Sequence, residues 1–246
     1  MRLLVSVRSA REVEAAVEGG AEIIDAKEPM RGSLGAVDAG TLALIGMALP
    51  VGMPLSIALG DHATPDAAAG AMDLLQAVPR RPAELYVKIG LAGVAEPGTA
   101  LSVLHAAVGA ARSSPLRPDV VAVAYADHRL AETMAPQRVL EVAAEAGARG
   151  VLMDTWSKDG RPLFASATHS DVRRWLDGGR SRGLLTALAG SLTRDLMDVI
   201  RGLGPDVVGV RGAACENGRG GAVSARLVQQ ISSAAHRPNP PLVAIA

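Results

Sequence analysis

The chain has 246 residues, in which 25 Lys and Arg balance 25 Asp and Glu, so the composition argues against disorder and against general attraction to nucleic acid or an anionic membrane. Apolar residues make up 49% but aromatic ones only 2%, too few for a base-stacking platform on single-stranded nucleic acid, and the core must be built of Ala, Leu and Val. The only cysteine, Cys215, excludes an internal disulfide and a Cys-rich metal site and suits a reducing compartment.

The first apolar run, residues 3–7, begins at once, with no signal-like h-region and no apolar stretch of membrane-spanning length, so a cytoplasmic location is expected. Seven more strand-like runs follow, at 22–27, 54–60, 84–90, 119–127, 150–155, 184–190 and 207–212. Between them lie longer stretches with the 3.6-residue period of helices, the alternation expected of βαβ units around a parallel sheet. Ser9 and Asp38 stand where the first two helices start, and Thr64 with Pro65 opens the third. Gly19–Gly20, Gly147 and 202–204 mark helix ends.

No linker interrupts the series, so residues 1–246 read as one domain with 236–246 as a C-terminal tail. The first βα turn, residues 5–10, lacks the glycine fingerprint of a dinucleotide fold. A single (β/α)₈ TIM barrel is therefore predicted, with function at the C-terminal ends of the strands.

The chain holds 22 arginines and only three lysines. All three lysines fall on that functional face: Lys27 in IIDAK, Lys88 in LYVKIG and Lys158 after VLMDT. An ammonium can lose its proton and attack a carbonyl, whereas a guanidinium cannot, so the trio points to carbonyl chemistry. Clustered ammonium groups also lower one another's pKa. Asp25, on the same side of its strand as Lys27, and Asp154 at the end of the sixth run are expected to orient the lysines and move protons. Salt bridges at a barrel rim would explain the same residues without catalysis.

A phosphate site is expected after the seventh and eighth strands, from Gly190, Ser191, Arg211, Gly212 and Ala213, where small residues let backbone N–H groups approach an anion. The glycine-rich loop 215–221 carries Arg219. The loop 28–35, with Arg31, is a candidate lid or second anion site. His62, His105, His128, His169 and His236 show no ligand spacing, so no metal and no cofactor is expected; Asp61-His62 and Asp127-His128 are rim or capping residues.

Several of these stretches resemble the (5-formylfuran-3-yl)methyl phosphate synthase family of methanofuran biosynthesis. They are LLVSV (3–7), IIDAKEP with GSLGA (23–36), YVKIGL (86–91), YAD (125–127), LMDT with KDG (152–160), ALAGS (187–191) and VGVRGAAC (208–215), covering nearly the whole chain. The resemblance implies a (β/α)₈ lyase that condenses two molecules of glyceraldehyde 3-phosphate into a furan aldehyde carrying one phosphate, with a lysine Schiff base and no metal. By motif it assigns the Schiff base to Lys27 and proton acceptance to Lys88, with Asp25, Asp154 and Lys158 completing the site. The departures are His128 after YAD, Trp156-Ser157 inside the LMDT–KDG stretch, and the loop 215–221. The residues alone leave open a class I aldolase acting on another phosphorylated aldehyde and a non-catalytic barrel that binds a phosphorylated metabolite. The expected partner is a small phosphorylated aldehyde, with no nucleic acid and no membrane. Apolar helix faces leave room for a homo-oligomer.

Overall fold

Eight parallel strands close into a barrel in strict chain order: β1 Arg2–Val7, β2 Ile23–Ala26, β3 Leu55–Asp61, β4 Leu85–Gly90, β5 Asp119–Tyr125, β6 Gly150–Asp154, β7 Leu185–Leu188 and β8 Val207–Val210. The structure, a computed structural model, describes residues 1–237. A helix follows each strand: α1 Ala10–Glu18, α2 Ala39–Ala48, α3 Pro65–Gly70, α4 Pro97–Ser113, α5 Pro136–Glu145, α6 His169–Ser181, α7 Met197–Leu203 and α8 Ala225–Ala235. The predicted TIM barrel is the observed fold.

Period-two alternation sorts the strand residues into two cores. Outward-facing side chains such as Leu3, Val5, Ile24, Ile57 and Val87 pack with helix residues such as Val13, Leu42, Val103 and Trp175 in the larger cluster. Inward-facing ones such as Ile23, Val121, Val123 and Leu152 form the cluster inside the barrel. Each full burial of such a side chain contributes about 1.5–3 kcal/mol, which compensates for the near-absence of aromatic rings. Four strands share one inward pattern, an apolar residue followed two positions later by a polar one: Leu4 and Ser6, Ile23 and Asp25, Tyr86 and Lys88, Leu152 and Asp154. Because a strand rises about 3.3 Å per residue, this repeat stacks a polar layer on an apolar one, with the polar layer at the C-terminal mouth.

Several predicted boundaries shift, each for a local reason. Lys27 lies one residue past β2, although its N–H still donates to Val7 O at 3.0 Å. Thr155 leaves β6 because its N–H turns to the Asp154 carboxylate at 2.7 Å. Gly190 ends its run with φ 102°, a left-handed geometry that favours glycine.

Asp38 and Thr64 cap α2 and α3 as expected, accepting from Thr41 N and Ala67 N. Ser9 does not cap α1 with its side chain; instead the buried Glu12 accepts from Arg8 N at 2.8 Å. His236, predicted to begin the tail, closes α8 and binds Glu22 at 2.9 Å; residues 238–246 of the predicted tail lie outside the described residues. Among the described residues no helix is long and apolar enough to cross a membrane.

Candidate active site

The three lysines meet in one cavity of about 300 Å³ at the mouth of the barrel, lined also by Asp25, Asp154, Gly190, Ser191, Arg211, Gly212, Ala213 and Arg219. The buried polar residues of the protein are concentrated around it: Ser6, Asp25, Lys27, Ser33, Ser56, Lys88, Asp154, Thr155 and Arg211 are all less than 9% exposed. Burying this much charge is costly unless it is paired.

Two of the lysines are paired. Lys88 Nζ lies 2.7 Å from Asp25 Oδ1, and Lys158 Nζ lies 2.8 Å from Asp154 Oδ1. Asp25 is on the same side of its strand as Lys27, but its ion pair is with Lys88 of β4. The intervening strand, β3, presents Ser56 beside Asp25 and Ala58 beside Lys88, and these small side chains leave the space in which the pair forms. The Ser6 hydroxyl donates to the second Asp25 oxygen at 2.7 Å. Burial alone would push the Asp25 carboxyl up, but the ammonium groups of Lys88 and Lys27, with these hydrogen bonds, hold it below the usual carboxylate range. The same competition, with Lys158 and Lys27 as the cations, brings Asp154 down to about 2.

Lys27 is the cation left over. Among the described residues no carboxylate oxygen comes within 4.0 Å of its Nζ. Burial lowers its pKa; Lys88 and Lys158 push the same way, Asp154 and Asp25 oppose them, and the result is about 7. A substantial fraction of Lys27 is therefore a free amine at neutral pH, the form that attacks a carbonyl. Three ammonium groups and two carboxylates leave one surplus charge, and it falls on Lys27.

The loops above this layer are fastened to one another. Ser33, from the loop after β2, donates to Asp154 Oδ2 and Thr155 O, both at 3.1 Å. Arg219, from the loop after β8, reaches across the mouth to Pro29 O through Nε at 3.1 Å and to Gly32 O through Nη2 at 2.7 Å. The expected lid 28–35 is thus anchored from β6 and from β8. Gly35 is required for its fold, since a Cβ there would lie 2.3 Å from Glu28 O. Arg31 is exposed, with Nη1 on Ala36 O at 3.3 Å, and does not line the cavity.

The expected phosphate residues divide. Gly190, Ser191, Gly212 and Ala213 line the cavity, and their backbone N–H groups make no hydrogen bond within the described residues. Gly190 and Ser191 both have positive φ, 102° and 48°. Arg211 is a correction. All five of its N–H donors are engaged, with Arg219 O at 3.2 Å, Ser6 O at 3.0 Å, the Glu12 carboxylate at 2.5 and 3.0 Å, and Gly221 O at 2.7 Å. Its guanidinium is a structural bolt between β8, α1 and the glycine-rich loop, with no donor left for an anion.

Ser6 and Ser33 lie within the LLVSV and GSLGA stretches, but no role is expected of them or of Ser56 from the sequence, and Arg219 figures there only as part of a glycine-rich loop. The period-two rule applied to β1 and β3 places Ser6 and Ser56 on the inner wall; nothing local to Ser33 or Arg219 reveals their long-range partners. His62 and His128 do not line the cavity. Asp127 accepts Trp156 N at 2.7 Å and Ser157 N at 2.9 Å, which holds the loop that carries Lys158. Asp61 accepts from Tyr125 Oη at 2.7 Å. Among the described residues no three His, Cys, Asp or Glu side chains gather where a metal ion could be held.

The family model described as 4-HFC-P synthase matches residues 3–232, a span that includes every element of this site. The chain belongs to the (5-formylfuran-3-yl)methyl phosphate synthase family. Relatives bearing that synthase's name include one from Methanopyrus kandleri, 40% identical over 236 residues, covering 95% of this chain and 98% of the relative. Another, from Archaeoglobus fulgidus, is 34% identical and covers 96% of this chain and all of the relative. Among solved structures, a 3-hexulose-6-phosphate synthase superposes with a TM-score of 0.62 at 20% identity, over 95% of this chain and 99% of that one. A phosphoribosyl anthranilate isomerase from Thermus thermophilus gives 0.62 at 13% identity, over 95% and 98%. At those identities the structural likeness establishes the barrel alone.

Proposed function

We propose that this member of the synthase family is a lyase that condenses two molecules of glyceraldehyde 3-phosphate into (5-formylfuran-3-yl)methyl phosphate, releasing one phosphate and two waters, through a Schiff base on Lys27, in methanofuran biosynthesis. The observation that carries the reading is the isolation of Lys27. It is the one buried lysine of the trio without a carboxylate of its own, its pKa falls to about 7, and it shares a cavity with unpaired backbone N–H groups suited to phosphate.

The neutral amine of Lys27 attacks the aldehyde carbon of the first triose and forms a carbinolamine. The Lys88 ammonium, held by Asp25, gives a proton to the departing hydroxyl, which leaves as water and produces the iminium. Now a free amine, Lys88 takes the proton from the carbon next to the iminium, and the resulting enamine either expels phosphate or attacks the aldehyde of the second triose. Two further dehydrations with ring closure form the furan, and one water adds back to the iminium to free Lys27 and leave the formyl group, so that with the water lost in iminium formation the net release is two. Gly190, Ser191, Gly212 and Ala213 hold one phosphate through their N–H groups. Lys158, steered by Asp154, and the unused Nη1 of Arg219 face the second anion. The route needs no metal, because the iminium supplies the electron sink.

One experiment tests the whole reading: the protein is incubated with glyceraldehyde 3-phosphate, trapped with borohydride and mapped by peptide mass, while furan absorbance and phosphate release are followed. A Lys27 adduct with furan formation is expected, and Lys27→Arg, which keeps the charge but not the nucleophile, should abolish both. An adduct on another residue would refute the Schiff-base assignment. An aliphatic product would point to an ordinary aldolase, and binding without an adduct to a regulatory barrel.

A further inference from the structure

The cavity does not stop at the lysine layer. Its lining continues downward into the barrel to Leu4, Ile23, Val121, Leu152, Leu185 and Val207, the apolar layer beneath the charged one. The interior of a (β/α)₈ barrel is normally filled by bulky branched side chains. Here Ser56, Ala187 and Gly209 take inward positions and leave a void. At about 300 Å³ the whole cavity is roughly twice the volume of a dry engineered cavity of about 150 Å³ that holds benzene. There is room for a ring below and a polar chain above.

Two details give this lower half a direction. Tyr86, one of only five aromatic residues in the chain, lines it with its ring, and its hydroxyl is tied down at the N-terminal end of the barrel, accepting from Arg2 Nη2 at 3.0 Å and donating to Glu84. A fixed ring offers an edge or face to a second one. Ser56 is 1% exposed, borders the cavity, and its hydroxyl makes no hydrogen bond among the described residues. It stands in register between Asp25 and Tyr86, where the polar layer meets the apolar one.

We infer that the well below the lysines is a seat for a small neutral aromatic ring, into which the ring of the product settles as water and phosphate leave, with its oxygen toward Ser56. The inference rests on the furan-forming reading above and adds a ligand class to it: unphosphorylated five-membered aromatic heterocycles. Polar trioses gain little from such a wall. A ring that has lost its hydroxyl groups gains from every apolar contact, so the well favours the dehydrated end of the reaction.

The test uses 2-methylfuran, which has no carbonyl and no phosphate, and measures its binding to the full chain by ligand-observed NMR. Saturable binding to the unmodified protein is expected. Gly209→Ala should weaken it at least fivefold, since a Cβ there meets Leu4 Cδ2 at 3.4 Å and Ala189 Cβ at 3.5 Å, ordinary contacts that keep the fold while narrowing the well. Ala187→Leu should abolish it. No saturable binding to the parent, or undiminished binding to a folded Gly209→Ala variant, would overturn the inference. Turnover of glyceraldehyde 3-phosphate is measured in parallel. Binding of 2-methylfuran without furan formation would fail the synthase reading and leave the well standing, whereas turnover without such binding would overturn the well alone.

Discussion

Replacing Lys27 by Met should inactivate the protein and at the same time stabilise it. Lys27 is the surplus cation of a buried set in which Asp25 and Asp154 each have another lysine within 2.8 Å, so its removal orphans no carboxylate. A fall in pKa from 10.5 to about 7 corresponds, at about 1.4 kcal/mol per tenfold, to about 5 kcal/mol of destabilisation when the amine is protonated in both states. The unfolded chain holds this proton up to its ordinary pKa and the folded chain only to about 7, so between those limits the unfolded state binds more protons and the native protein gains stability as the pH rises. The penalty is therefore complete below about pH 7 and fades toward pH 10. Met fills similar volume without charge, and exchanges of buried charges for apolar groups stabilise by about 1–4 kcal/mol, or roughly 2–4 °C in melting temperature for each kcal/mol in a chain of this size. Thermal and urea melts of both proteins at about pH 6, 8 and 10 provide the measurement. The Met variant should lead at pH 6, and its lead should shrink at each step upward. Lys88→Met should do the opposite, losing about 3–5 kcal/mol because Asp25 is then buried without its ion pair. A Lys27→Met variant less stable than the parent at pH 6, or a difference that does not change with pH, would refute the assignment of the surplus charge to Lys27.

Other consequences follow from the same geometry. Asp154→Asn removes the carboxylate that most raises the Lys27 pKa and frees the Lys158 ammonium to repel it, so the acid limb of the borohydride-trapping profile should move to lower pH; an unmoved limb would mean that Asp154 does not act on Lys27. Arg211→Ala leaves Glu12, which is 5% exposed, without its bidentate partner and should cost about 3–5 kcal/mol in denaturant unfolding; a stable variant with only a raised KM would restore Arg211 as a phosphate contact. Arg219→Ala cuts the tie from the β8 loop to Pro29 and Gly32. Its bonds run to partly exposed carbonyls, so about 1 kcal/mol is at stake, or roughly a fivefold rise in KM, with trapping of acetaldehyde on Lys27 unaffected. Loss of acetaldehyde trapping in that variant would show that Arg219 shapes the lysine layer itself.

Much of this site could be read before any coordinates. Three lysines among 22 arginines, each at the end of a β-type run, point to one face of a barrel, and the structure brings all three into one cavity. The glycines and small residues after β7 and β8, expected to bind phosphate, line the cavity, because their placement follows from local geometry. The partner of Asp25 was not legible, since proximity along β2 suggested Lys27, and only the small Ser56 and Ala58 on the strand between reveal the route to Lys88. Arg211 looked like an anion ligand for the same reason any arginine beside glycines does; its engagement by Glu12 depends on α1 packing 199 residues earlier in the chain.

By itself the sequence determined the βα repeat, the gathering of the three lysines on one face and the kinds of chemistry available, because strand alternation and side-chain type are properties of short segments. Only the closed barrel decided which ammonium pairs with which carboxylate, and hence that Lys27 is the one left to give up its proton. That outcome is a sum of burial and charge over strands β2, β4 and β6, which adjoin one another across the cavity and nowhere along the chain.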